Sequence, residues 1–272
     1  MLAKHTSHGS AIELPADECW VGRGLVPKFR TLLRAAFALG FLLIAAASRA
    51  EQPPMVFQHL SAADGLSQST VTVIFQDGQG FLWLGTQNGL NRYDSNEIKR
   101  YHRERNRPGG LANDFIRAID EDKDGNLWLA TDGGGLVKWE RRTDTFSSYR
   151  HSPEDPASLG SDSIRNVLVD RAGNVWATTR GRGLNRLDPA TGEITHFFHS
   201  SDMPGSLSSN EQLQALLESE DGSIWVGTGA GVDRYDAQNN RFEHFTPPHS
   251  VGGIHNLSSL IEDHQGFIWM SS

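Results

Sequence analysis

Three aspartates at alternate positions, Asp120, Asp122 and Asp124, come directly before Gly125 and match the opening of a calcium-binding loop. Such a loop needs a bidentate carboxylate at its twelfth position, where this chain has Thr131. Asp and Gly are also the residues that form tight turns. The sequence therefore favours a turn without metal. Calcium stays as the alternative, and a calcium-dependent rise in melting temperature would support it.

Two glycine-rich runs, residues 133–135 and 181–183, have the composition of phosphate-binding loops. They lack the lysine and serine that end a nucleotide-binding loop, and each leads into a predicted strand rather than a helix. We interpret both runs as hairpin turns.

The chain has eleven histidines, and they are scattered. His196 and His199 are three residues apart, but no third ligand stands at a metal-binding spacing. No Ser-His-Asp constellation can be assigned from the sequence. The sequence thus predicts no catalytic residue, no metal site and no cofactor.

Basic residues recur at one place along the chain, shortly after a Gly-Leu or Gly-Val pair: Arg92, Lys138, Arg186 and Arg234. They could contact an acidic ligand. The simpler interpretation is that each pairs with a nearby acid, namely Asp94, Glu140, Asp188 or Asp236.

The basic residues recur because the chain is built from a repeat. Its clearest marks are a tryptophan and a glycine three residues before it. The tryptophans are Trp83, Trp128, Trp176, Trp225 and Trp269, separated by 45, 48, 49 and 44 residues, and the glycines are Gly80, Gly125, Gly173, Gly222 and Gly266. A period in the forties indicates an array of supersecondary units, and β-propeller blades have about this length.

Each unit predicts four short strands. First strands are expected over residues 71–77, 115–122, 164–170 and 213–219, and fourth strands over 98–102, 146–150, 194–198 and 241–245. The glycine before each tryptophan should occupy a turn with positive φ. Four antiparallel strands per unit predict an all-β fold, a β-propeller in which each tryptophan lies flat between neighbouring blades.

The run DGQGFLWLGTQNGLNRYD, residues 77–94, resembles the repeat of the two-component regulator propeller family. The resemblance extends over about residues 55–272. It implies a seven-bladed propeller in the periplasmic sensor region of a membrane-bound receptor. The output of such a receptor is a histidine kinase or a GGDEF diguanylate cyclase, and oligosaccharides are among the family's ligands.

The N-terminal fifty residues differ from the repeats. Residues 26–50 combine basic residues, a short apolar run and a small-x-small site before Glu51, which predicts a secretory signal peptide and a periplasmic location. A retained membrane anchor is the alternative. Residues 1–25 fit neither, and we interpret them as a mis-assigned start or a disordered segment. Cys19, the single cysteine, lies there, so no disulfide is expected.

Residues 51–272 then predict four blades and the start of a fifth, the N-terminal part of a longer, truncated propeller. A strand over residues 55–60 resembles an outer strand, as ring closure requires. The expected partner is an unidentified periplasmic ligand, and exposed blade edges predict self-association. A net charge of −8 argues against nucleic acid. The expected function is ligand sensing without enzyme activity; the alternatives are a propeller enzyme of lyase or glycosidase type and a protein-interaction scaffold.

Overall fold

The computed structural model describes residues 59–104, 107–245 and 257–271. The predicted leader segments, residues 1–25 and 26–50, and most of the strand predicted over 55–60 lie outside these ranges. Within them, a 3-10 turn at Ala62–Asp64 precedes eighteen strands. The fold is all-β, as predicted, and no described helix is both long enough and apolar enough to span a membrane.

Sixteen of the strands form four sheets of four. The first sheet contains β1 (Val71–Gln76), β2 (Leu82–Thr86), β3 (Gly89–Tyr93) and β4 (Ile98–Tyr101). The second contains β5 (Ile116–Glu121), β6 (Leu127–Thr131), β7 (Leu136–Glu140) and β8 (Thr145–Tyr149). The third contains β9 (Ile164–Val169), β10 (Val175–Thr179), β11 (Leu184–Leu187) and β12 (Ile194–Phe197). The fourth contains β13 (Ala215–Glu218), β14 (Ile224–Thr228), β15 (Gly231–Asp236) and β16 (Arg241–Phe245).

Every sheet is an antiparallel meander in which consecutive strands are neighbours, which is the topology of a propeller blade. A fifth sheet has two described strands, β17 (Ser259–Glu262) and β18 (Ile268–Ser271). We call the four complete sheets blades 1 to 4 and the two-stranded sheet unit 5.

The turn between the first and second strands has the predicted geometry. The five glycines that precede the tryptophans have φ between 80° and 92°. In blade 1 the Gly80 N–H donates to the Asp77 carbonyl at 2.9 Å, and the other four turns repeat this bond. Because the residue at the Asp77 position belongs to the turn, each observed first strand ends one residue before its predicted end.

The first strands of successive units are neighbours: β1 contacts β5, β5 contacts β9, β9 contacts β13, and β13 contacts β17. They therefore line the inner side of the array, and the fourth strands lie outermost. Side-chain hydrogen bonds join these inner strands. Thr72 Oγ1 donates to the Ile116 carbonyl at 2.5 Å, and Asn166 Nδ2 donates to the Gln214 carbonyl at 2.7 Å.

Tryptophans fill the seams between blades. Trp83 packs in one buried cluster with Tyr101 of its own blade and with Ile116 and Leu129 of blade 2. Trp128 and Trp176 occupy the same place at the next two seams. Trp225 is partly buried and packs against a cluster of blade 4 and unit 5 residues. The predicted position between blades is confirmed for these four side chains.

Trp269 departs from the prediction, since it is 62% exposed. No described sheet follows unit 5, so its ring has no neighbouring blade to contact. At the other end of the array, Ile74 of β1 is 67% exposed, whereas Ile119 at the same repeat position in blade 2 is buried. The predicted self-association through such exposed surfaces stays a prediction.

Candidate functional site

The tryptophans and the acids of the repeat form a structural clasp. Each indole N–H donates to the side chain six residues earlier, which is an aspartate in four units and Ser219 in the fourth blade. The distances are 2.9 Å for Trp83–Asp77, 3.2 Å for Trp128–Asp122, 2.8 Å for Trp176–Asp170, 3.1 Å for Trp225–Ser219 and 2.7 Å for Trp269–Asp263. A buried indole N–H needs such a partner, so this pair has a structural role.

Asp77 shows how the clasp reaches across a seam. Its buried carboxylate accepts from Trp83 at 2.9 Å and from Arg141 Nη2, on blade 2, at 2.8 Å. Burial alone would raise the pKa of Asp77, but these bonds and two backbone N–H donors lower it. The carboxylate is therefore held in its charged form, and it fixes both the turn and the seam.

The basic residues of the repeat lie on the tryptophans, not beside the predicted acids. Each is the direct cross-strand partner of the tryptophan, as in the Trp83–Arg92 pair, so both side chains share one face of the sheet. The cations of Arg92, Lys138, Arg186 and Arg234 lie 5.9, 5.4, 5.6 and 5.8 Å from the ring centroids. Lys138 also lies 3.8 Å from Asp122, and Arg234 pairs with Glu243 at 2.7 Å. The predicted pairing with Asp94, Glu140, Asp188 and Asp236 is thus wrong.

The three aspartates of the calcium-like run have separate tasks. Asp122 belongs to the clasp of Trp128, and Asp124 is exposed in the turn. Asp120 lies on β5, where its carboxylate accepts from the Val169 N–H of blade 3 at 2.7 Å. In the part of the chain that the structure describes, no group of three potential His, Cys, Asp or Glu ligands is close enough to hold a metal ion.

The two histidines that are three residues apart also diverge. His196 Nδ1 lies 2.8 Å from Asn185 Oδ1 on the neighbouring strand, and His199 Nδ1 lies 2.6 Å from the Leu207 carbonyl. Both contacts are local to blade 3 and its linker. The glycine runs at 133–135 and 181–183 form the β6–β7 and β10–β11 turns, as predicted.

The structure brings together a set of residues that the sequence did not single out. Eleven residues before each tryptophan, the first strand or the residue before it carries a side chain that lines one cavity of about 350 Å³. We call these residues the axial cluster: Thr72, Arg117, Arg165, Gln214 and Ser258. One residue comes from each unit. The signal in the sequence was the constant spacing of eleven residues before the tryptophan. The residue types at this position differ from unit to unit, so the spacing did not stand out.

Blade 2 neutralises its axial arginine internally. Arg117 forms an ion pair with Asp132, which lies four residues after Trp128, and its guanidinium is 4.3 Å from the centroid of Phe115. Ser163 Oγ also donates to Asp132. Burial alone would raise the pKa of Asp132, but the bonds from Ser163 and Arg117 lower it.

Blade 3 has an arginine where blade 2 has this aspartate. Arg180 lies four residues after Trp176, and its backbone N–H donates to the Ser163 carbonyl at 3.0 Å. Among the described residues, neither Arg165 nor Arg180 has a hydrogen-bond or ion-pair partner for its guanidinium. Burial lowers the pKa of Arg165, the positive charges of Arg117 and Arg180 lower it further, and Asp132 opposes them.

The axial cluster can therefore bind but shows no catalytic pairing among its own members. Its side chains are hydroxyl, amide and guanidinium groups, which recognise a ligand through hydrogen bonds and charge. Thr72 Oγ1 is already engaged with two backbone carbonyls. The side chains of Gln214 and Arg165 stay available to a ligand.

Comparisons with known proteins agree with this fold. Residues 65–88 and 110–133 match the family model for the two component regulator propeller. The extracellular domain of a protein described as a hybrid two component system from B. thetaiotaomicron superposes with a TM-score of 0.69 at 28% identity, covering 80% of this chain and 29% of that domain.

Two further relatives define the limits of the likeness. "Histidine kinase P4" of Formosa agariphila is 43% identical over 68 residues, which are 25% of this chain and 5% of the relative. Virginiamycin B lyase from Staphylococcus aureus superposes with a TM-score of 0.55 at 14% identity, covering 76% of this chain and 64% of the lyase, and shows the fold alone. This chain thus spans a small part of its signalling relatives.

Proposed function

We propose that this chain, which carries two-component regulator propeller repeats of the sensor type, binds a small ligand at the axial cluster as part of a signalling receptor. Support comes from the family match and from the 28% identical extracellular domain of a protein described as a hybrid two component system. By the same likeness, we place the propeller in an extracellular or periplasmic location.

One observation carries the proposal. The clasp positions repeat the same residue types, apart from Ser219 in blade 4, whereas the axial position presents threonine, arginine, arginine, glutamine and serine at one cavity. A cavity lined by several elements and by a few convergent polar groups is the usual form of a small-molecule site. Residues that hold the array together need to be alike, and residues that recognise an asymmetric ligand need to differ.

The inner strands offer a route by which binding could change the propeller. The axial position adjoins the bonds that join neighbouring first strands, since Thr72 itself donates to the Ile116 carbonyl of blade 2. A ligand that contacts several first strands at once would stabilise one arrangement of the blades over another. We propose a histidine kinase as the output of the receptor, with a diguanylate cyclase as the alternative.

A bulky substitution at the cavity tests this proposal. Gln214→Trp adds a large ring at an exposed axial side chain that has no hydrogen bond among the described residues. Gln238→Trp, in the β15–β16 turn, is the matched control, since its exposed side chain lies outside the cavity. The purified protein and both variants would be screened against neutral and acidic oligosaccharides by thermal shift, and hits would be measured by titration calorimetry.

We expect at least one compound to bind the wild type, and Gln214→Trp to weaken it by about tenfold or more. Gln238→Trp should bind as the wild type does. A ligand whose affinity Gln214→Trp leaves unchanged would place binding elsewhere and contradict the axial site. Absence of any ligand across the screen would contradict the sensing role as stated.

A further inference from the structure

The residue four positions after the tryptophan differs between blades, and this difference gives the axial site a positive charge. Four residues after the tryptophan, the successive blades carry Gln87, Asp132, Arg180 and Gly229. In blade 2 the aspartate neutralises the axial arginine of its own blade. In blade 3 the corresponding residue is a second arginine, so the charge of Arg165 is reinforced instead.

Few acids are available to offset these charges. Asp132 is already engaged with Arg117 and Ser163. The carboxylate of Glu211, in the linker before blade 4, lies beside Gly181, yet among the described residues it forms no ion pair with Arg180. Arg117 and Arg165 therefore line the cavity, the exposed Arg180 adds a third positive charge near Arg165, and Asp132 is the one acid in the described part of the chain whose charge opposes them.

This arrangement is unfavourable in the absence of a ligand. A partly buried guanidinium loses hydration, and without a partner it gains nothing in return. Like charges nearby add repulsion, and that repulsion reaches Arg165, because both Arg117 and Arg180 lower its pKa. The chain as a whole carries a net charge of −8, so a basic cavity is a local exception to its composition.

We propose that the axial cluster binds an anionic ligand, a small molecule or sugar unit with a carboxylate or sulfate group, through its own Arg165 together with Arg180, which adjoins the cluster. The planar guanidinium donates two parallel hydrogen bonds to such oxygens, which a neutral hydroxyl cannot accept with the same strength. Gln214 is placed to contact the uncharged part of the ligand. A cavity of about 350 Å³ accommodates one such unit. This inference rests on the axial site of the proposed function and adds the ligand's chemistry.

Substitution of the blade 2 residue into blade 3 gives the sharpest test. Arg180→Asp would supply Arg165 with the kind of partner that Arg117 already has in Asp132. We expect Arg180→Asp to raise the melting temperature of the ligand-free protein and to abolish anion binding. Arg165→Gln should weaken anion binding by about tenfold or more. Arg142→Gln, at an exposed site in the β7–β8 turn, has the same change of charge as Arg165→Gln and should bind as the wild type does.

The probes are sodium glucuronate and glucose 6-sulfate, compared with glucose at equal ionic strength, by titration calorimetry and thermal shift. We expect at least one of the two anions to bind the wild type at millimolar concentration, and glucose to bind at least about tenfold more weakly. The inference is wrong if neither anion binds more tightly than glucose, or if Arg180→Asp binds the anions as the wild type does.

The outcomes separate this inference from the proposed function. A neutral ligand that Gln214→Trp excludes, with no response to either anion, would keep the sensing role and overturn the anionic ligand. Anion binding that needs Arg165 but tolerates Gln214→Trp would keep the anion site and overturn the axial cavity as the place where the whole ligand is recognised.

Discussion

The seams between blades and the inner axis of the array follow opposite rules. At the seams, the tryptophan and the turn glycine are repeated in all five units, and the acid partner is repeated in four. An indole hydrogen bond to the side chain six residues earlier appears in all five. At the axis, the residue eleven positions before the tryptophan changes from unit to unit. Repetition therefore accompanies packing between blades, and variation accompanies the cavity that faces solvent.

The repeated positions also show that burial depends on the neighbour and not on the residue. Trp128 is buried between blades 2 and 3, whereas Trp269, with the same turn and the same hydrogen bond, is 62% exposed. The two side chains form a natural matched pair. The difference between them measures what a following blade contributes.

The largest expected effect concerns this pair. Trp128→Ala removes a ring that is surrounded by residues of two blades, so we expect the free energy of unfolding to fall by about 3–5 kcal/mol. Trp269→Ala removes a ring that is mostly in solvent, and we expect a loss of about 0.5 kcal/mol or less. Urea unfolding followed by circular dichroism measures both. Equal losses at the two positions would contradict this comparison, because burial at the seam would then add nothing to the free energy of unfolding.

A smaller effect is expected at the acid of the clasp. Asp77→Asn keeps an oxygen for the turn but removes the charge that pairs with Arg141, so we expect a loss of about 2 kcal/mol at neutral pH. Because the pKa of Asp77 is lowered on folding, its stabilisation is present above the ordinary value of 3.8 and is lost as the pH falls below it. The wild type and Asp77→Asn should therefore converge in stability in strong acid.

Asp263→Asn is the control for this change. Asp263 holds the exposed Trp269 in the same way, but it has no described blade beyond it to pair with. Melting temperatures measured between pH 2 and pH 7 should show a smaller decrease at neutral pH for Asp263→Asn than for Asp77→Asn. A gap between the wild type and Asp77→Asn that persists in strong acid would show that the charge of Asp77 is not what stabilises the seam.

Much of the fold was predictable because its determinants are local and recur. The Trp and Gly spacing predicted blades, turns and the place of the tryptophans, and the structure confirms these for blades 1 to 4. One repeated element was missed, a buried leucine in the linker before the first strand of blades 1 to 4, namely Leu66, Leu111, Leu159 and Leu207. Each follows a Gly or Ser, and that short recurring pair was the available signal.

The partners of the basic residues could not be read from sequence distance. Arg92 is two residues from Asp94 along the chain, and this proximity favoured an ion pair. Residues two apart do lie on the same face of a strand, but Asp94 lies past the end of β3, where its carboxylate accepts from the backbone N–H groups of Asn96 and Glu97. The residue opposite Arg92 in the register is Trp83. The axial cluster was also hidden because distance along the sequence does not show which residues meet in the fold. Its members are 44 to 49 residues apart in sequence and meet only because the first strands lie side by side.

Asp120 breaks the pattern of its own position, and the smallest expected effect lies there. The residue eight positions before the tryptophan is apolar in the other units: Phe75, Leu168, Leu217 and Ile261. At three seams a glutamate of the following unit accepts a backbone N–H from the preceding turn, as Glu121 does from Gly78 at 2.7 Å. At the seam of blades 2 and 3 that glutamate position is Val169, and Asp120 accepts the Val169 N–H from the opposite side.

Asp120→Asn separates the hydrogen bond from the charge at this seam. Burial raises the pKa of Asp120, so its contribution to stability is greatest below the ordinary value of 3.8 and is lost as the pH rises through the folded-state pKa. An asparagine keeps an acceptor for Val169 and carries no charge. We therefore expect Asp120→Asn to raise the free energy of unfolding at pH 7 by about 1 kcal/mol or less, and to match the wild type in acid. Asp124→Asn, in the exposed turn, should leave the free energy of unfolding unchanged both at pH 7 and in acid. If Asp120→Asn lowered the free energy of unfolding at pH 7, the charge of Asp120 would itself be needed. The seam of blades 2 and 3 would then be, like the axis, a place where a unit-specific residue has a role beyond packing.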